Sequence, residues 1–379
     1  MVEEIEIMGN VTIILDIGQF STKIGFAGED HPNSVFFTLV GVPKYQNVDL
    51  TLSNQISELC IGNEIQDAMG LYKLFHPIQN GRIHDWNYYK KILEYIFYNL
   101  RVDPIVTNIL YAVHPLSPKQ DKRKVFDIFL EEFNCASFYP VLDSLLTLYS
   151  GGFQTGLIIE IGDSSTRIVP VYEGFQLSHA IKILDLGGNL ITEFMEHQLK
   201  QAGFTADSSV KKQIIRVIKE KACFVSLDFK EDMKRYEEYR KPFSLPDGEI
   251  LEIDSLRFLI PELLFNPSLY NLETLPLHEA ILECIEDCDI DLRPKLLNNI
   301  FLSGGSSMFP NFKSRLYKEL ELLLAKKKKK IQIVKIIAPK ERMFLVWIGG
   351  SILGMIPEFS ASWVTREQYY NKGIPENLL

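Results

Sequence analysis

The sequence predicts an α/β protein in which one domain plan is used twice. Three observations carry this expectation. The stretch ILDIGQFSTKI at 14–24 returns as IIEIGDSSTRI at 158–168, repeating Ile14, Ile17, Gly18, Ser21, Thr22 and Ile24 and exchanging Asp16 and Lys23 for Glu160 and Arg167. Short β-branched runs alternate with stretches of helical apolar spacing, the pattern of strands crossed over by helices. The 379 residues, 46% hydrophobic and 23% charged, are enough for two or more globular domains with large cores.

VTIIL is a β-branched run ending at Asp16; a glycine-containing turn follows, and TKIGFAG reads as a second strand. DWNYYKKILEYIFYNL and DKRKVFDIFLEEFN repeat apolar residues at helical spacing, with NILYAVHP between them as a strand ending at Pro115. DSLLTLYSGG, from Asp143 to Gly152, predicts a helix stopped by two glycines and placed as a hinge between the halves. GLIIEIGDSSTRIVPVYEG then repeats the strand, turn, strand unit, for which an ancient duplication is the economical explanation.

NLITEFMEHQLKQAGF and SVKKQIIRVIKEKACFVSLDF predict further helices, and Pro246, Asp247 and Gly248 a turn. NNIFLSGGSSMFPNFKSRLYKELELLL reads as strand, Gly-Gly loop and amphipathic helix. The lysines at 326–330 form a solvated connector to a last strand, IQIVKII.

A formal charge of −9 and a pI near 5.4 argue against nucleic acid as the main partner, since that work needs clustered positive charge. Cys60, Cys135, Cys223, Cys284 and Cys288 are odd in number and scattered, which fits a reducing compartment; Cys284 and Cys288 read as structural thiols rather than metal ligands. The acidic MVEEIEIMGN reads as the approach to a strand and not as a signal peptide, and no apolar run reaches membrane-span length. The expectation is a soluble, cytosolic protein.

The repeated turn carries the chemistry. Gly18 and Gly162 allow close approach of backbone N–H groups to phosphate oxygens. Asp16 and Glu160, each ending its first strand, could hold Mg²⁺ through its waters, because Mg²⁺ takes one or two carboxylates plus phosphate oxygens. Lys23 adds positive charge. Two such turns would grip a polyphosphate from both sides, and SGGSSMFP supplies a third Gly-rich strand-to-helix turn.

At this point the chain resembles the actin and actin-related protein family. KIGFAGED, HPIQNGRIHDWN, VPVYEGFQLSHAI, IKEKACFVSLDF, LPDGE, DIDLRPKLLNNIFLSGGSSMFP and KIIAPKERMFLVWIGGSIL match it in order over nearly the whole chain. The resemblance implies the actin-type ATPase fold, two duplicated α/β domains, each with an inserted smaller subdomain, closing on Mg-ATP. The implied small-domain core comprises 1–38, 78–150 and 351–379, with 39–77 inserted for intersubunit contact. The large-domain core comprises 151–186 and 273–350, with 187–272 inserted.

Carried over by residue, the resemblance implies nucleotide contacts at Asp16, Gly18, Gln19, Phe20 and Lys23 in the first turn, and at Gly162, Asp163 and Gly188 by the second. Arg216, Lys219 and Glu220 match the segment beside the nucleotide, with Glu220 at a ribose hydroxyl. Gly304, Gly305, Met308, Phe309 and Met343 match the adenosine side. Tyr149, Ile352, Leu353 and Ile356 match an apolar cleft used by filament neighbours or regulators.

The departures gather around the chemistry. Gln19 and Phe20 stand where actins have serine and glycine, so Phe20 must turn away from phosphate. Glu160 replaces an aspartate, and Met343 a lysine over the base, a loss of about 1 kcal/mol or tenfold in affinity. Asp143 and Arg167 occupy the places of the water-positioning glutamine and histidine. They could guide water and stabilise phosphoryl charge, with Glu160 beside them, or instead pair with each other and latch the cleft.

The segment between Gly41 and Gly62 is longer than the family's intersubunit loop, the stretch after Asp228 is shorter and more charged, and GIPENLL lacks the usual basic and cysteine-containing terminus. The expected function is an actin-like cytoskeletal protein that binds Mg-ATP, forms filaments and hydrolyses slowly. The alternative is an actin-related subunit that binds ATP structurally inside a hetero-complex, as a nucleator or cap. A small-molecule kinase on the same fold fits the actin-specific segments poorly.

Overall fold

A computed structural model describes residues 11–44, 59–204, 209–245, 250–327 and 333–379. The turn expected at Pro246–Gly248, most of the segment between Gly41 and Gly62 and the end of the lysine connector lie outside the described residues. The chain divides into two compact units, 1–153 with 344–379, and 154–343.

In the first unit, β1 (Val11–Ile17) pairs antiparallel with β2 (Ser21–Phe26), which pairs antiparallel with β3 (Ser34–Phe37). On its other side β1 runs parallel to β4 (Thr107–Val113), and β4 parallel to β5 (Ser137–Leu142). Val364–Thr365 closes the far edge. Successive β1 side chains serve opposite faces, as the two-residue period of a strand requires. Ile13 and Leu15 join Tyr89, Ile92, Leu93 and Ile96 of the helix Trp86–Leu100, whereas Ile14 joins Leu110, Leu146 and Trp347. The sheet is therefore covered on both faces, which is why β1 reads as a continuous apolar run.

The second unit repeats this order. β6 (Gly156–Ile161) pairs antiparallel with β7 (Thr166–Tyr172), which pairs antiparallel with β8 (Lys182–Leu184). β6 runs parallel to β9 (Ile300–Ser303), and β9 to β10 (Ile336–Ile337). The sequence 3-2-1-4-5 of the first sheet thus becomes 8-7-6-9-10 in the second. One large core collects the inward faces of the helices 188–201, 209–222, 277–286 and 312–326.

The helix Trp86–Leu100 begins where Asp85 accepts from the N–H groups of Asn87 and Tyr88, both at 3.0 Å. It ends at Arg101 in the left-handed region, φ 55°. Lys119–Asp127 continues into a π-helical turn, Ile128–Glu132. Two elements end sooner than their sequence suggests. The helix from Ser209 stops at Ala222, because Phe224 N–H donates to Arg257 O at 2.8 Å and Val225 N–H to Pro310 O at 3.0 Å, drawing the backbone out of helical pairing. The last strand is reduced to Ile336–Ile337, which pairs with Ile300 and Phe301 of β9.

The helix Leu345–Gly354 packs on the helix Asp143–Tyr149 at backbone contact: a Cβ on Gly349 would lie 1.8 Å from Leu146 O. This approach seats the whole helix in the first unit, whose second segment begins at Phe344. All five cysteines are buried thiols, and Cys288 Sγ donates to Cys284 O at 3.3 Å. Among the described residues no helix is long and apolar enough to cross a membrane.

In the second unit the buried Arg315 makes a two-pronged pair with buried Glu262, at 2.8 and 2.9 Å, and also donates to Ser226 O at 2.6 Å. Burial raises the Glu262 carboxyl, and Arg315 opposes that shift.

Two stability outcomes follow from these contacts. Gly349→Ala forces the two helices apart and should cost about 2 kcal/mol, a Tm drop of at least about 4 °C for a unit of this size; an unchanged Tm would refute the close approach. Arg315→Met strands a buried carboxylate and should cost about 3–5 kcal/mol, while the double variant with Glu262→Leu should cost less than Arg315→Met alone; additive losses in a denaturant cycle would contradict this.

Candidate functional site

The repeated hairpins are alike in side-chain detail. Strand register puts Asp16 opposite Lys23 on β1 and β2, and Glu160 opposite Arg167 on β6 and β7. Lys23 Nζ meets Asp16 Oδ2 at 3.1 Å, and Arg167 Nη2 meets Glu160 Oε1 at 2.5 Å, all four side chains being largely buried. The turns close in the same way: Gly18 N–H donates to Ser21 O at 3.1 Å and Gly162 N–H to Ser165 O at 3.0 Å. Next to each basic residue a fully buried threonine is bonded, Thr22 to Thr38 at 2.9 Å and Thr166 to Leu186 O at 2.5 Å.

In the first unit the tip residues are held by their neighbours. Gln19 Oε1 accepts from Asn80 N–H at 2.8 Å. The Phe20 ring lies 4.9 Å from that of Phe37, tilted by 58°, and Phe20 O accepts from Thr38 N–H at 2.9 Å. Asp143 is buried at the start of the helix Asp143–Tyr149. In the same unit Tyr149 and Leu353 pack on the Trp347 cluster, while Ile352 and Ile356 are exposed, as is Met355 beside them.

The second unit braces its turn from two directions. At the start of the helix Gly188–Gln201, Gly188 N–H donates to Gly162 O at 2.9 Å and Asn189 N–H to Asp163 O at 2.8 Å. Ser306 Oγ, from the Gly-Gly turn, also donates to Gly162 O at 2.9 Å. The approach leaves no room for side chains: a Cβ on Gly187 would sit 2.3 Å from Asp163 O, and one on Gly188 2.6 Å from Ser306 Oγ. Gly304 adopts φ +87°, and a Cβ there would meet Ile161 O at 2.3 Å.

Cations from the helix Ser209–Ala222 complete the cluster. Arg216 Nη2 pairs with Asp163 Oδ1 at 2.5 Å and its Nε with the exposed Glu220 at 3.3 Å. Lys219, almost wholly buried, donates to Gly188 O at 2.8 Å and Thr192 Oγ1 at 2.9 Å. Burial pushes the Lys219 ammonium down to about 8, and the neighbouring Arg216 charge adds to the effect.

Of the residues singled out from sequence, Gly162, Asp163, Gly188, Arg216, Lys219, Glu220 and Gly304 thus form one connected group. Gly305 faces open space, and Met308 is exposed. Phe309 instead turns into the core of the unit. Met343 is exposed next to Arg342, whose guanidinium bonds Ser307 O at 2.9 Å and Ser307 Oγ at 3.2 Å. Gly187, Asn189, Thr192, Ser306 and Arg342 escape a sequence reading. Only the hydroxyls following the Gly-Gly pair hint at one of them.

Two α/β units, each centred on a hairpin that ends in a glycine turn backed by a buried acid–base pair, define a duplicated α/β protein. The family model for actin matches residues 8–375. The chain belongs to the actin family, whose members generally bind a nucleotide and a divalent cation.

The depressed Lys219 value gives a pH test. A lysine whose folded value lies below its unfolded one, near 10.4, penalises the fold below pH 8, and the penalty is relieved as pH rises from about 8 towards 10.4. Lys219→Met should lack this relief, so its Tm relative to the parent should fall between pH 8 and pH 10; a constant difference would show that Lys219 titrates normally.

Proposed function

We propose that the chain is an actin-like cytoskeletal protein of the cytoplasm that binds Mg-ATP, assembles into filaments and hydrolyses the nucleotide slowly. The observation that carries this reading is the recurrence, in both units, of one hairpin with its glycine turn and its acid–base pair in the same register. The Gly18 and Gly162 amides hold the turns closed, so phosphate oxygens would meet the tips at 19–20 and 163–164, beside Lys23.

The donor set suits Mg²⁺ carried by its waters. Each ion pair engages one carboxylate oxygen of Asp16 or Glu160, and a carboxylate has about four acceptor sites. Among the described residues no three or more His, Cys, Asp or Glu side chains are grouped to enclose a metal, so the remaining ligands would be waters and phosphate oxygens. The cation would neutralise triphosphate charge. Arg216, Lys219 and Glu220 shape the ribose side, and Gly304, Gly305, Met308 and Met343 the base side.

For hydrolysis, buried Asp143 would orient the attacking water and accept its proton, and Arg167 would bear on the charge of the transferring phosphoryl group. Arg167 is already committed to Glu160, which keeps its guanidinium in place but shares its charge. Phosphoryl transfer with weakened water activation loses roughly 10²–10⁴-fold, hence slow turnover.

One observation favours a second reading, a subunit of a hetero-complex that binds ATP structurally. The stretch after Asp228 forms the short helix Phe229–Lys234 and a further turn, Tyr236–Tyr239, with almost every charged side chain exposed. Partners at Tyr149, Ile352, Leu353 and Ile356 suit either reading.

Saturating Mg-ATP at about 100 times its Kd should stabilise the chain by about 2.7 kcal/mol, seen as a rise in Tm; no shift and no calorimetric heat at millimolar ATP would overturn nucleotide binding. Pelleting over a concentration series should show a critical concentration, with phosphate release reduced about tenfold or more by Asp143→Asn. Failure to pellet at any concentration would favour the hetero-complex subunit.

A further inference from the structure

We propose that the junction between the helices Asp143–Tyr149 and Leu345–Gly354 is a binding site for internal water, held by Ser144, Thr147 and Trp347 with or without nucleotide. Ser144 is 1% exposed and Thr147 and Trp347 are 0% exposed, yet among the described residues Ser144 Oγ, Thr147 Oγ1 and Trp347 Nε1 have no hydrogen-bond partner. All three lie on two helices that meet at backbone distance, Leu146 against Gly349. Ser144 and Thr147 are three positions apart and share a helix face.

The deficit is local. Other buried hydroxyls of the same unit are paired: Thr22 with Thr38 at 2.9 Å, Ser137 Oγ with Asn108 Oδ1 at 2.6 Å, and Ser351 Oγ, on the second of the two helices, with Glu29 O at 2.8 Å. A helical serine or threonine usually turns its hydroxyl onto a carbonyl three or four residues back. Ser150 does so, donating to Thr147 O at 2.6 Å, whereas Ser144 and Thr147 do not. A buried polar group left unmet costs stability, and three together would remove much of the narrow margin by which a domain stays folded.

Chemistry narrows the ligand to one. The indole N–H only donates, while each hydroxyl donates and accepts, so the ligand must accept from Trp347 and be small. A cation would face the N–H. An anion would sit beside the carboxyl of Asp143, next in the chain to Ser144, and the surrounding Ile14, Leu110, Val141, Leu146 and Val346 offer neither charge a counter-ion. Water is neutral and does both jobs; buried waters typically make about three bonds to groups of this kind.

The test combines a crystal structure of the full chain with the Tm of Thr147→Val, a change of nearly the same shape that removes the hydroxyl. The expected result is water density within about 2.7–3.2 Å of at least two of the three atoms, and a Tm lowered by about 2–4 °C because the water loses a partner. A Tm equal to or above the parent's would show a dry junction and overturn the proposal, since removing an unmet hydroxyl is neutral or stabilising. Hydroxyls found turned onto Pro140 O or Asp143 O would overturn it too, as would a parent Tm that depends on chloride at constant ionic strength, which would put an anion there. If Thr147→Val does not fold, the density at the three atoms decides alone.

Discussion

In each unit a carboxylate on the first hairpin strand faces a cation on the second, and the rest of the local structure depends on that pairing. A charge removed from water must be matched, or it disrupts the fold that buries it. Sliding β2 by one residue would turn Lys23 away from Asp16 and bring Thr22 or Ile24 into its place, because strand side chains alternate faces. The pair therefore sets register together with the apolar stripe. With register set, the turn length is set, and Gly18 and Gly162 close onto Ser21 and Ser165 in the same way.

The units then support their turns by different means. The second builds a backbone junction: a helix start at Gly188 and Asn189 and the Gly-Gly turn at Ser306 converge on the carbonyls of Gly162 and Asp163, with glycines wherever a side chain would collide. The first relies on side chains at the tip, Gln19 reaching Asn80 and Phe20 packing against Phe37. Backbone junctions tolerate little change, while side-chain braces can be replaced one at a time. That contrast accounts for Gln19 and Phe20 departing from the family's serine and glycine without disturbing the hairpin below them.

The repeat was legible because the hairpin is local: eleven adjacent residues carry its strands, its turn and its charges. Less visible was anything that depends on distant backbone. Ser306 meets Gly162 across 144 positions, and Arg342 meets Ser307 across 35. Helical spacing runs past Ala222 without a break, yet contacts with Arg257 and Pro310 end the helix there. Phe309 follows a Gly-rich turn and reads as a ring that could meet a base, but its side chain fills the core below the turn.

The first unit is discontinuous, its first 153 residues being completed by 344–379, whereas the second is one unbroken stretch. On the ribosome, where the chain emerges from its N-terminus, the stretch 154–343 can finish its core while the earlier segment still lacks the helix Leu345–Gly354 and the edge strand Val364–Thr365. Ile14, Leu110 and Leu146 then stand uncovered until the helix Leu345–Gly354 has been made. The half synthesised first is the half that matures last, and during that interval its exposed apolar face needs shelter from aggregation.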